Sequence, residues 1–271
     1  MDSKIALFAL CAWLRNRSLQ SLEGQYGWSH PRISRIVRHM SSWLYRRWGH
    51  LVDVQSRKHH LVSPRRLKYL TAAVERKFKL PRFWGAIDGT VRPIAMPVEQ
   101  EELVYNGHKR CHALKYQFIS CPDGLIFCSL PFEGRRHDAH IVTDTGLVQW
   151  AAQHAKNEQG EQLYLFGDPA YANSRAILTK FRGNIISSMQ ADFNYIMSKF
   201  CMQVEWAIGL IPNQWPQFSV KRRQQTGATP VGQDWLVGVL LFNAKTCLVG
   251  NQVSKRLRCD PPTLEEYFCS P

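Results

Sequence analysis

At 271 residues, 45% of them hydrophobic, the chain can bury one large core with a smaller unit beside it. Its net charge of +14 is lopsided: residues 1–80 hold 16 Lys/Arg against 4 Asp/Glu, a balance of +12, while residues 81–271 hold 19 against 17, a balance of +2. No stretch reaches the ~20 apolar residues of a membrane helix, and residues 5–14 lack a small-residue cleavage site, so neither a spanning segment nor a signal peptide is expected. The eight cysteines (11, 111, 121, 128, 201, 247, 259 and 269) form no Cys-x-x-Cys pair, which fits free thiols in a reducing compartment.

In chain order, residues 3–15 read as an apolar helix and residues 18–26 as a short one ending at Gly27. Ser29 and Pro31 then open a helix over about 30–45, with Ile33, Ile36, Val37, Met40 and Leu44 at helical spacing. Its other face carries Arg32, Arg35, Arg38 and His39. Helix, short helix, glycine turn and basic helix follow the order of a helix-turn-helix, whose second helix would contact DNA. Residues 46–64, with Arg46-Arg47 and Arg57-Lys58, read as a link, and Ser63-Pro64 as the start of a helix over about 65–78. The charge split and these elements divide the chain into a basic, helix-turn-helix-like region at 1–80 and a body at 81–271. In the body, strands are expected at 84–93, 115–121, 125–132 and 162–166, with a weaker one at 184–188. Helices are expected at 138–153, 174–181, 193–210 and 235–248. That alternation describes a mixed α/β layer fold.

Three acidic residues stand in recognisable phrases. Asp88 follows Trp84-Gly85-Ala86-Ile87, Asp168 follows Leu163-Tyr164-Leu165-Phe166-Gly167, and Glu205 lies in the long helix. Both aspartates are expected at the C-terminal ends of strands, the edge where open sheets place their ligand crevice. A carboxylate there is costly unless a cation meets it. Three converging carboxylates suit two Mg²⁺ or Mn²⁺ ions, whose ligands are oxygens, and not zinc. Zinc is disfavoured for His108, Cys111, His112, His137 and His140, which no paired Cys-x-x-Cys supports. No Gly-x-Ser-x-Gly elbow and no Gly-x-x-x-x-Gly-Lys loop is present.

Further phrases run through the body: Ile87-Asp88-Gly89-Thr90 with Pro93; Tyr105-Asn106-Gly107-His108-Lys109; Lys115-Tyr116-Gln117 leading to Pro122-Asp123-Gly124; Gly134-Arg135-Arg136-His137-Asp138; Gly167-Asp168-Pro169-Ala170-Tyr171; Phe193-Asn194; and Val204-Glu205. In this order, across about 84–248, they resemble the DDE endonucleases of the PIF/Harbinger transposases, which are related to a bacterial insertion-sequence group. The resemblance implies an RNase H-like core, a mixed sheet flanked by helices, with Asp88, Asp168 and Glu205 as catalytic and metal-binding triad. It also implies a double-stranded DNA substrate and divalent-metal chemistry. Asp138, beside His137, belongs near the site without an assigned metal. The chain departs from the more familiar family phrase in having Trp206 rather than Arg after the glutamate. Lys109, Arg110, Arg135 and Arg136 flank the carboxylates and are expected to track phosphates.

The reading is thus a metal-dependent DNA endonuclease of transposase type, possessing or lacking strand transfer. The competing reading is a domesticated or catalytically silent DNA-binding protein that keeps the nuclease fold as a scaffold. Family members in eukaryotes can depend on a separate Myb-like partner, act as dimers or larger assemblies and work in the nucleus; these are expectations carried by the resemblance, and no membrane partner is expected.

Overall fold

The structure, a computed structural model, describes residues 2–56, 60–183 and 185–269, with the side chains of residues 203–205 outside that description. The Arg57-Lys58 pair therefore lies outside the described residues.

Local capping explains the N-terminal helices. α1 (Ser3–Leu14) is capped by Asp2, whose carboxylate accepts from Lys4 N at 2.9 Å. α2 (Leu19–Tyr26) begins at Ser18, which accepts from Ser21 N, and ends at left-handed Gly27 (φ 66°). In α3 (His30–Trp48) the apolar stripe Ile33, Ile36, Val37, Met40 and Leu44 is buried as its spacing predicts. Ser29 occupies the cap position without a side-chain hydrogen bond. The helix also runs on to Trp48, so Arg46 and Arg47 belong to it and not to a link. Single 3-10 turns at Gly49–Leu51 and His60–Val62 lead to α4 (Pro64–Phe78), capped by Ser63. The intervening segment is stitched into the body: Leu51, Val52, Val54, Leu61 and Val62 are buried, and Cys128 N donates to Val52 O at 2.7 Å.

The body follows as β1 (Phe83–Pro93), α5 (Glu101–Val104), β2 (Tyr105–Asn106), β3 (Cys111–Ser120), β4 (Ile126–Cys128), β5 (Phe132–Glu133), α6 (Asp138–Thr145), α7 (Leu147–His154), β6 (Tyr164–Gly167), β7 (Ile177–Leu178), α8 (Ser188–Gln214), α9 (Val231–Val249), α10 (Gln252–Leu257) and α11 (Leu264–Phe268). Its mixed sheet has the order β2-β3-β1-β6-β7, with β4 and β5 also paired to β3. β3 is antiparallel to β1, whereas β6 is parallel to β1 and β7 parallel to β6. α8 packs on β1, β3 and β6, and α9 packs on α3, α8 and β4. Trp235 of α9 lies against the Tyr116 and Phe118 rings of β3. The apolar core runs unbroken from Ala6 in α1 to Tyr267 in α11, with no seam at residue 80. No described helix is long and apolar enough to cross a membrane.

Three sequence expectations fail. The helix expected over 138–153 is broken at Gly146 (φ 65°) into α6 and α7. The helix expected over 174–181 is extended instead: Ser174 Oγ accepts from Ile177 N at 3.0 Å, turning the chain so that Ile177 and Leu178 pair beside β6. The strand expected over 184–188 is absent among the described residues there, because Ser187 and Gln190 form a capping box that starts α8; Asn184 lies outside the described residues.

Candidate functional site

β1 changes character halfway along. Phe83–Ile87 are buried, whereas Asp88–Arg92 are only partly so. Asp88 is therefore not at a strand end, as expected, but at the point where a longer strand leaves the core. β1 continues because β3 pairs with it as far as Pro93↔Ala113. β6 does end at Gly167, directly before Asp168. Ile87 is the parallel register partner of Gly167, so Asp88 and Asp168, one residue further along each, are cross-strand neighbours on strands roughly 5 Å apart. Asp88 Oδ1 accepts from Gly89 N at 2.7 Å. Asp168 Oδ1 accepts from Ala170 N, and its carbonyl accepts from Tyr171 N at 3.0 Å, a turn that fixes the carboxylate at the sheet edge.

Tyr171 registers how much negative charge gathers here. Burial pushes its phenol well above the ordinary value, and the charges of Asp138, Asp88 and Asp168 push it further. Asp138, the first residue of α6, has a cation of its own: its Oδ1 lies 2.8 Å from Lys115 Nζ. Lys115 is only 8% exposed against 29% for Asp138, so the ammonium is the more enclosed partner. It also donates to Arg136 O at 2.8 Å, and Gln117 Nε2 donates to Asp138 O at 3.2 Å. A Cβ at Gly89 would fall 2.6 Å from Asp138 Oδ1. Glycine at 89 thus lets Asp138 press against β1 at the residue after Asp88, on the face opposite the Asp88 side chain.

Glu205 lies on α8, the helix that crosses β1, β3 and β6, but its side chain falls outside the described residues. The next residue, Trp206, is covered by a guanidinium from elsewhere: Arg256 Cζ of α10 lies 4.7 Å from its ring centroid. Asp88 and Asp168 supply hard oxygen donors from adjacent strands, which fits part of a Mg²⁺ or Mn²⁺ shell. Asp138 fits less well, being already paired. Among the described residues no group of three His, Cys, Asp or Glu is arranged to hold a metal.

The basic residues divide into two groups. Arg32, Arg35, Arg38 and His39 are all exposed on α3 and line one open groove of about 930 Å³ with Ser42, Arg46 and, from α9, Gln233. Arg32 stacks on Trp28 at 5.1 Å. Lys109 and Arg110 are exposed in the turn into β3, and Arg135 and His137 are exposed ahead of α6. Arg136, in contrast, is tied to Glu133 (3.2 Å) and Asp144. Four of the cysteines are disfavoured as thiolates. Burial raises Cys121 and Cys128 well above the ordinary value and pushes Cys247 and Cys259 up to about 12.

Sequence reasoning quoted Lys115, Gln117 and Tyr171 inside phrases without giving them work. The available signal was a lysine and a glutamine two apart, hence on one face, in an otherwise apolar strand. Arg46 was missed because its helix was ended too early, and Gln233 because only the α3–α9 packing brings it to the groove.

Residues 87–243 match the family model described as DDE superfamily endonuclease. A curated Arabidopsis thaliana protein called "Protein ALP1-like" is 22% identical over 211 residues, covering 73% of this chain and 49% of its own length. The chain thus spans about half the length of that relative. No solved structure matches it.

Proposed function

This chain belongs to the DDE superfamily endonucleases, and on that premise we propose that it is a divalent-metal-dependent DNA endonuclease of transposase type. Asp88, Asp168 and Glu205 form its acidic site. The observation that carries this reading is the register of β1 and β6, which makes Asp88 and Asp168 neighbours where β1 leaves the core. The sheet order, antiparallel on one side of β1 and parallel on the other, supports an RNase H-like reading of the core. The three N-terminal helices and the arginine groove support a helix-turn-helix reading of the front end.

In this mechanism the strand-edge turn at Asp168 and the Gly89 N–H at Asp88 hold two carboxylates toward solvent. Lys115 neutralises Asp138 so that it adds little repulsion to that pair. Mg²⁺ or Mn²⁺ held by the acidic site would activate the attacking water and stabilise the leaving 3′-oxygen. The exposed arginines of α3, with Lys109, Arg110 and Arg135, would hold duplex DNA by its phosphates. A nuclear location, a Myb-like partner and a dimeric or larger assembly complete the proposal.

The test is nicking of supercoiled plasmid by wild type and Asp168→Asn in Mg²⁺, Mn²⁺ or EDTA. The expected outcome is metal-dependent nicking that falls by about 10³-fold or more in the variant, with Tm and DNA binding retained. A variant that nicks at the wild-type rate would sink the acidic-site assignment.

A further inference from the structure

Past Asp88, β1 presents a short shelf. Strand alternation places Asp88, Thr90 and Arg92 on one face, and all three are partly exposed while the preceding half of the strand is buried. At ~3.3 Å per residue, Arg92 lies about 13 Å along the strand from Asp88. Its guanidinium stacks on the Trp235 ring, with Cζ 4.4 Å from the centroid. It makes no ion pair with a carboxylate among the described residues. Burial lowers its pKa, and only the neighbouring Tyr116 acts against this. Arg92 Nε and the Tyr116 hydroxyl are both covered and lack hydrogen-bond partners among the described residues. A half-buried cation fixed by an aromatic ring, with no counter-charge among the described residues, is suited to receive an anion.

Its location identifies the anion. The first turn of α9 joins three features: Gln233 lines the arginine groove of α3, Asp234 accepts from Ser41 of α3 at 2.6 Å, and Trp235 stacks on Arg92. Arg92 therefore packs on the helix that borders the α3 groove and shares β1 with Asp88. The pocket that Arg92 lines with Tyr116, Phe218 and Trp235 is only about 10 Å³, room for no more than a water, so a larger ligand would have to meet the exposed part of Arg92. A phosphate of a DNA strand that spans both the groove and the acidic edge would be an anion of suitable charge for it.

We propose that Arg92, braced by Trp235, is a DNA-phosphate contact linking the α3 groove to the Asp88–Asp168 edge. This inference rests on the reading of DNA as substrate. It does not require cleavage.

The test measures binding of a fluorescein-labelled double-stranded oligonucleotide in EDTA across a KCl series. Wild type, Arg92→Gln, Arg92→Lys and Asp168→Asn are compared. Removing one phosphate contact lowers the slope of log K against log salt by about 0.9. Arg92→Gln should show that loss with a several-fold weaker affinity, while Arg92→Lys and Asp168→Asn keep the wild-type slope. An unchanged slope in Arg92→Gln, or no DNA binding by folded wild type, overturns the proposal. If Arg92→Gln fails to fold, phenylglyoxal labelling of wild type decides. Bound DNA should slow modification of the Arg92 peptide several-fold, and equal labelling with and without DNA overturns the proposal. Plasmid nicking, scored separately, tells the two readings apart. Nicking with an unchanged slope refutes the Arg92 contact alone; a reduced slope without nicking refutes the catalytic reading alone.

Discussion

Asp123 and Asp88 each precede a glycine, and the fold treats them in opposite ways. Asp123, in the turn between β3 and β4, is 1% exposed. It accepts from the Arg66 guanidinium of α4 and from Leu125 N at 3.0 Å. Gly124 beside it (φ 84°) abuts Asn251, whose Nδ2 donates to Gly124 O at 2.8 Å. That knot ties α4, the β3–β4 hairpin and the cap of α10 together. Asp88 is part-exposed, at the point where its strand leaves the core, with a second aspartate just past the end of the next strand. A sealed carboxylate with a cation of its own holds structure. A part-open one crowded by its own kind is in a position to do chemistry, because only there do solvent, substrate and metal have access. Arg66–Asp123 and Lys115–Asp138 make the same distinction among ion pairs: the first is closed, the second borders the open edge.

The contrast is broken most forcefully at the closed end. Asp123→Ala strands the Arg66 guanidinium in a largely enclosed site, and breaking such a pair costs about 3–5 kcal/mol. Denaturant unfolding should show this loss, with metal-dependent nicking per folded molecule unchanged. A loss below about 1 kcal/mol, or a specific loss of nicking, would erase the distinction between the two aspartates.

A third carboxylate sharpens it. Asp234, at the α3–α9 contact, accepts from Ser41 without an ion pair among the described residues, and burial raises its pKa to about 6. The folded state therefore keeps a proton that the unfolded chain has already released. The stability from this group is full below the ordinary carboxylate value near 4 and is lost as pH rises through about 6. The loss amounts to about 2–3 kcal/mol. Asp234→Asn should flatten the unfolding free energy between pH 4 and 6 and leave the protein more stable than wild type at pH 7. An unaltered pH profile in the variant would mean that Asp234 is not the enclosed acid of this contact.

Much of this was legible from residue patterns, for stated reasons. Ser18, Ser63 and the 3.6-residue stripe of α3 announce helices because capping and amphipathicity are local. The phrases around Asp88 and Asp168 announced an acidic site, but their adjacency depends on Ile87 facing Gly167 across a parallel pair, a non-local fact. The Ile177–Leu178 strand was misread as helix because its strand state depends on the free edge of β6. The basic front end was read as a unit because its charge differs from the body, yet its apolar stripe merges with α9, which charge counting does not reveal. Arg92 carries no local signal, because Trp235 reaches it only through the packing of α9.

The finest separation comes from Lys115→Met. The substitution leaves the Asp138 carboxylate uncompensated against Gly89, the residue after Asp88, yet Asp138 is 29% exposed and water can reach it. The stability loss should therefore be smaller than at Asp123, about 1–2 kcal/mol, since solvent screens what the interior cannot. The added negative charge should raise the cost of gathering carboxylates at the edge, lowering nicking by about tenfold, the usual scale for removing a supporting partner of a metal site. Lys115→Met with Asp138→Asn removes both charges, so a double-mutant cycle should return most of the nicking lost in Lys115→Met alone. Recovery of nicking without recovery of stability would identify charge balance at the edge as the role of the pair. Recovery of stability alone would place Lys115–Asp138 with Arg66–Asp123 as a tie within the fold.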